Sequence, residues 1–128
     1  MSLQYGAGLR DGHMNSINTT LGATATIKIF SGTVAANCGA ADPSGTLCTI
    51  ILPSSPFIAS SSGAIAKNGT WSVAASGAGT AASYRIYDSS AACQIQGNVT
   101  TDLVLNNTSI ASGQTVTVTG YTLTAGNA

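Results

Sequence analysis

The sequence has 128 residues, 44% of them hydrophobic and only 6% charged, and its four Lys and Arg balance its four Asp and Glu at a formal net charge of zero. A chain of this length holds one core rather than two. With charge so far below the roughly 25% of an average soluble protein, Ser, Thr, Asn, Gln and Gly must make the polar surface, and nothing steers the chain toward nucleic acid or a membrane. A neutral, charge-poor surface has little colloidal repulsion, which suits a component of an assembly better than a freely diffusing enzyme.

The opening residues, MSLQYGAGLRDGHMN, lack the basic start and apolar stretch of a signal peptide, and no apolar run approaches the roughly 18 to 20 residues of a membrane span. The chain is therefore expected to stay in the cytosol where it is made, unless a processed leader has been removed. From Leu3 to Leu21, the residues Leu9, Met14, Ile17 and Leu21 fall roughly on a helical stripe, weakened by Gly6, Gly8 and Gly12. This predicts at most a short helix over residues 10–20, ended by Gly22, in an arm (1–22) ahead of a β domain (23–128). Such an arm either covers an open end of its own domain or reaches a neighbour.

Ala23 to Phe30 alternates, with Ala23, Ala25, Ile27 and Ile29 on one face and Thr24, Thr26, Lys28 and Phe30 on the other, which predicts a first strand. Leu47 to Leu52 is nearly continuous in apolar residues and is closed by Pro53 and Pro56, as in a strand buried on both faces or ending at a bend. Asn68-Gly69 is the strongest hairpin signal, because a two-residue type I′ turn needs φ > 0 at both positions. It predicts a hairpin between a strand over 57–66 and a return whose inner face is Trp71, Val73 and Ala75. Residues 76–82 read as a flexible Gly and Ala linker.

Residues 81–99, AASYRIYDSSAACQIQGNV, read as two short strands folded across Asp88-Ser89-Ser90 inside an antiparallel sheet. Tyr84 and Ile86 alternate with Arg85 and Tyr87, and Cys93, Ile95 and Val99 alternate with Gln94, Gln96 and Asn98. A short strand over 103–106, a turn at Asn106-Asn107-Thr108 and a long strand over 115–124 follow. In that last strand the apolar phase slips at Gly120 from Val116 and Val118 to Tyr121 and Leu123, which predicts a β-bulge bending it between two sheets. About eight short strands and one possible helix predict an all-β fold, a two-sheet antiparallel β-sandwich of immunoglobulin-like or jelly-roll kind with a short N-terminal helix or arm.

The residues carry no recognisable reaction, and the expectation is a protein that is not an enzyme and needs no cofactor. His13 lies near Asp11, but no nucleophile is placed beside them. One His, four separated carboxylates and three scattered thiols do not make a metal shell, and Gly77-Ala78-Gly79 lacks the context of a phosphate loop. No order of residues singles out an isopeptide triad around Lys28. Cys38, Cys48 and Cys93 read as small buried hydrophobes kept reduced, with a Cys38–Cys48 bridge across the Asp42-Pro43-Ser44-Gly45 turn as the alternative. The Asn-x-Ser/Thr triplets at Asn18, Asn68, Asn98, Asn106 and Asn107 read as by-products of an Asn and Thr rich surface. Trp71, Tyr84, Tyr87 and Tyr121 are core or interface anchors unless they share an exposed face, where they would make a sugar platform.

Three stretches, LRDGHMNSINTTLGATATIKIFSG, AASYRIYDSSAACQIQGNV and LVLNNTSIASGQTVTVTGYTLTAGNA, together resemble small Ala, Gly and Thr rich structural proteins of tailed bacteriophages. The similarity is one of texture over nearly the whole chain and carries no site motif. It implies a virion protein with a β-sandwich fold, a head decoration or cement protein on the outer face of the capsid lattice, partnered by the major capsid protein or another virion protein and forming a homo-oligomer. A tail or neck component is the nearest rival, and a carbohydrate- or receptor-binding module is the rival from another class. A pilin or adhesin subunit would need an export signal. The arm is the expected contact, through Tyr5, Leu9, Arg10, Asp11, His13 and Met14, with Arg10 setting the register and Tyr5 and Leu9 supplying buried area.

Overall fold

The computed structural model describes residues 3–58 and 63–124. Residues 59–62 of the strand expected over 57–66 lie outside the described residues, as do residues 1, 2 and 125–128 of the expected arm and β domain. Among the described residues one helix precedes a series of antiparallel strands, so the expected β-rich architecture with a short N-terminal helix is observed.

Helix α1 spans Ala7–Leu21, about a turn longer at its start than its glycines suggest. Gly8 and Gly12 have open space around them, so each costs only its intrinsic propensity, roughly 1 kcal/mol relative to Ala. Tertiary contacts offset that cost. Asn18 grips the backbone of Phe57 from both sides, its amide donating to the Phe57 carbonyl at 2.8 Å and its Oδ1 accepting the Phe57 N–H at 3.1 Å. Met14 and Ile17 lie against the core, and Leu21 is buried in it. The helix ends where expected: Gly22 takes φ +79°, a left-handed value that favours Gly, and donates its N–H to the Asn18 carbonyl.

The first sheet has the order β2-β1-β6-β7, with β1 at Thr26–Phe30, β2 at Thr46–Ile51, β6 at Ser83–Tyr87 and β7 at Cys93–Asn98. Ala25, Ile27 and Ile29 point into the core as the alternation requires, whereas Ala23 is exposed ahead of the strand. Phe30, assigned by alternation to the outer face, is fully buried. Phe30 nevertheless keeps the outer face that alternation gives it, opposite Ser83 in an unbroken β1–β6 register, and the β1–β2 register shift beside it places the extra residue, Leu47, on β2. Strand β2 is an edge and is not buried on both faces: Leu47, Cys48 and Ile50 are buried, but Thr49 is exposed and Ile51 is 78% exposed.

The second sheet is built on β10 (Thr115–Thr124), which pairs with β3 (Ala64–Ala66), β4 (Ser72–Ala74) and β8 (Leu103–Leu105). The bulge expected near Gly120 is present, because Val118 and Gly120 oppose the consecutive residues Leu105 and Val104. It does not carry the strand into the other sheet, since all three partners belong to one sheet. The Asn68-Gly69 hairpin is not formed: β3 and β4 both pair with β10 and not with each other. Gly69 has φ +73° but Asn68 is not in the left-handed region, so the type I′ condition is half met. Asn68 instead donates to the Ser55 carbonyl, and the Trp71 indole N–H donates to the Asn68 carbonyl. The expected linker over 76–82 is ordered, with Ser76 and Gly77 donating to the Leu47 carbonyl and β5 (Gly79–Thr80) pairing with β9 (Ser109–Ile110).

The core draws on both sheets. Phe57, Trp71, Tyr84 and Tyr121 form one aromatic cluster with ring centroids 5.4 to 6.0 Å apart. The Tyr84 hydroxyl on β6 donates to the Tyr121 hydroxyl on β10 at 2.7 Å, joining the sheets through a buried polar contact. Burial holds both phenols well above their ordinary range, Tyr84 at about 12, so both stay neutral and the contact does not carry charge.

Gly97 on β7 is the closest approach to this cluster. A Cβ there would lie 2.7 Å from the Asp102 carboxylate and 2.8 Å from the Tyr84 hydroxyl. Gly97→Ala is therefore expected to lower stability by about 1–3 kcal/mol through forced displacement of the Tyr84 ring, whereas Gly113→Ala, where the space is open but φ is +85°, carries only backbone strain. Chemical denaturation of both variants checks this, and near-ultraviolet circular dichroism should change at the tyrosine bands only for Gly97→Ala.

Candidate functional site

The arm residues singled out from sequence divide between two environments. Asp11 accepts the Gly63 N–H at 2.6 Å, and the Arg10 guanidinium lies directly over Gly63, so both charged residues face the chain's own domain. Met14 is half-buried against the core. Tyr5 is half-buried and meets His13 edge-on, with centroids 5.7 Å apart. Leu9 is 53% exposed and His13 is exposed, while Leu3, ahead of the helix, is 68% exposed. One side of the arm thus covers the domain and the other presents Leu3, Leu9 and His13 outward. Asn18, noticed in the sequence only as part of an Asn-x-Thr triplet, is the residue that fastens the helix.

A second constellation lies on the outer face of the first sheet. All five residues of β6 are buried, although Arg85 and Tyr87 alternate with the core-facing Tyr84 and Ile86. The segment 31–45 between β1 and β2 covers that face. Arg85 is 2% exposed; it donates to Asp42 Oδ1 at 2.6 Å and to the backbone carbonyls of Asn37 and Cys38 at 3.0 and 2.9 Å. The Tyr87 hydroxyl donates to the same Asp42 oxygen, and Lys28 Nζ sits 5.1 Å from the Tyr87 ring centroid. Ser83 Oγ donates to the Gly32 carbonyl and Gln96 Nε2 to the Ala35 carbonyl, so the sheet face holds the loop by its backbone. Lys28, Asp42, Arg85 and Tyr87 border an open cleft of about 410 Å³ that also includes Cys38 and Cys93.

Cys93 is on this face because of a bulge. Ile86 pairs with Ile95 but Tyr87 pairs with Cys93, so Gln94 is the extra residue and the expected common face for Cys93 and Ile95 is lost. The three cysteines are free thiols, and Cys48 is fully buried on β2, where burial pushes its thiol up to about 11. Cys38 neighbours Cys93 rather than Cys48.

The aromatic residues that would have made a sugar platform do not share an exposed face, since Trp71, Tyr84, Tyr87 and Tyr121 are all buried. Among the described residues, no three His, Cys, Asp or Glu side chains converge as a metal shell, and no helix is long and apolar enough to cross a membrane. The chain matches no protein-family model, no curated protein and no solved structure.

The Tyr87 hydrogen bond, followed by the Arg85 contact, holds the Asp42 carboxyl below its ordinary value. A carboxyl depressed in the folded state stabilises the fold above its unfolded value, near pH 4, and loses that contribution as pH falls through the folded value. Asp42→Asn should therefore flatten the fall in stability between about pH 5 and pH 2. At pH 7 the variant should be less stable by about 2 kcal/mol, since Arg85 keeps its buried charge without its carboxylate partner. Urea melts across that pH range provide the comparison.

Proposed function

We propose that this chain is a structural protein of a tailed-bacteriophage virion, a two-sheet β-sandwich that binds the outer surface of the head lattice as a decoration or cement protein. Its partners are the major capsid protein or another virion protein and further copies of itself, its place is the virion, and it acts without enzymatic chemistry. The observation that supports this reading most directly is the arm: α1 is fastened to its own domain by Asn18 and Asp11, yet it leaves Leu3 and Leu9 exposed on a molecule with almost no surface charge. The resemblance in sequence texture points the same way. Contact made in this manner rests on apolar area and on Ser, Thr, Asn and backbone hydrogen bonds, so it responds little to salt. Burial of all four anchor aromatics favours an assembly role over the sugar-binding alternative. A tail or neck position shares the same chemistry and is separated from the head by imaging tagged protein on purified virions.

The test is co-sedimentation of the purified chain with heads and with tails at low and high salt. The wild type is expected to bind heads equally at both ionic strengths. Leu3→Asp combined with Leu9→Asp should reduce binding tenfold or more while leaving the thermal midpoint nearly unchanged, because both side chains are exposed. A monodisperse wild-type monomer that binds neither heads nor tails would overturn the assembly reading, and undiminished binding by the double variant would remove the arm from it.

A further inference from the structure

We propose that Cys38 and Cys93 are a redox pair that closes into a disulfide, fastening the loop between β1 and β2 onto the edge strand β7. The pairing is a product of the fold, because neither residue is near the other in sequence. The bulge at Gln94 turns Cys93 to the Tyr87 side of the sheet. Arg85, on the neighbouring strand, holds the carbonyls of Asn37 and Cys38 and so fixes the loop backbone at the position of the second thiol. The two thiols are close enough to act on one another and line one cleft, the Cys93 thiol donating to the Ile95 carbonyl at 3.5 Å, and each is only half-buried, so a small reagent has a path to them. Cys48 cannot compete: it is fully buried on the core side of β2.

Burial and the neighbouring thiol push Cys93 up to about 12, while the Arg85 guanidinium works in the opposite direction. Cys93 is thus held as the thiol at neutral pH. A small-molecule disulfide supplies the chemistry. One protein thiolate attacks a sulfur of the reagent, forming a mixed disulfide and expelling one thiolate. The second protein thiolate then attacks the protein sulfur and expels the other. The protein thiols lose two protons and two electrons in total, and the reagent is reduced to two thiols. The bridge holds Asp42 and the Asn37 and Cys38 carbonyls over Arg85 independently of the hydrogen bonds that otherwise keep them there.

The experiment treats the 128-residue chain with oxidised glutathione and follows thiol titration in denaturant, intact mass and a non-reducing digest. The expected product has one titratable thiol instead of three, a mass lower by two hydrogens, and a peptide linking Cys38 to Cys93. Cys48→Ser should still bridge; Cys38→Ser and Cys93→Ser should each stop at a glutathione adduct. Bridging should also be at least tenfold faster in the native chain than in the unfolded one, since the fold supplies the proximity. Three titratable thiols after treatment, a bridge that includes Cys48, or equal rates in native and unfolded chains would each overturn the proposal.

Discussion

Burial of a guanidinium on the outer face of a central strand is the constraint on which the first sheet depends. An isolated charge removed from water costs far more than a domain of this size can tolerate, so Arg85 is compatible with the fold only while its donors are matched. Asp42 and the two loop carbonyls provide that match, and all three come from the same connection between β1 and β2. The loop therefore cannot leave without exposing or orphaning the charge. Arg85 Nε and, across the β6–β7 ladder, Gln96 Oε1 remain buried without partners, which is the residual cost of the arrangement.

The same constraint explains what was legible in the sequence and what was not. Local chemistry could be read directly: the Gly22 helix stop, the hairpin around Asp88, and the bulge at the phase slip in β10 all follow from residue type and period. The long-range competition could not. Asn68-Gly69 is a sound local signal, yet β10 offers ladder partners to both flanking segments and wins. Alternation showed Arg85 and Tyr87 pointing away from the core but could not show that an irregular, Gly-rich loop would cover them. The bulge at Gln94 has no glycine to announce it; only the register opposite Tyr87 reveals it, and with it the face on which Cys93 lies.

The arm shows a related division. Its apolar stripe was readable, and Met14, Ile17 and Leu21 lie where a stripe facing the domain should. The polar fastening was not, because Asn18 acts on the backbone of a residue far along the chain, and a side-chain amide that grips a distant peptide leaves no periodic trace. Ser89 repeats the device at the C-terminus of the helix, within a turn of Asn18: its N–H and hydroxyl both donate to the Leu21 carbonyl, while the hydroxyl accepts the Thr24 N–H. The turn of the central hairpin is thus docked on the helix terminus, and the arm is joined to the first sheet as well as to Phe57.

These contacts share one form, a polar side chain holding the backbone of a segment distant in sequence. Ser83, Arg85 and Gln96 hold the loop after β1, Asn18 holds the segment before β3, and Ser89 holds the helix end. In a chain with so few charges this is the economical way to order Gly and Ala rich connections, which have little side chain to bury and much backbone entropy to lose. Each such hydrogen bond contributes only about 1 kcal/mol net, but it satisfies a carbonyl or amide that would otherwise lie unpaired beneath the surface. Short polar side chains and backbone already tied inward stand where most domains carry surface charge, and among the described residues the large apolar side chains left exposed are Leu3, Leu9, Ile51, Ile58 and Val104.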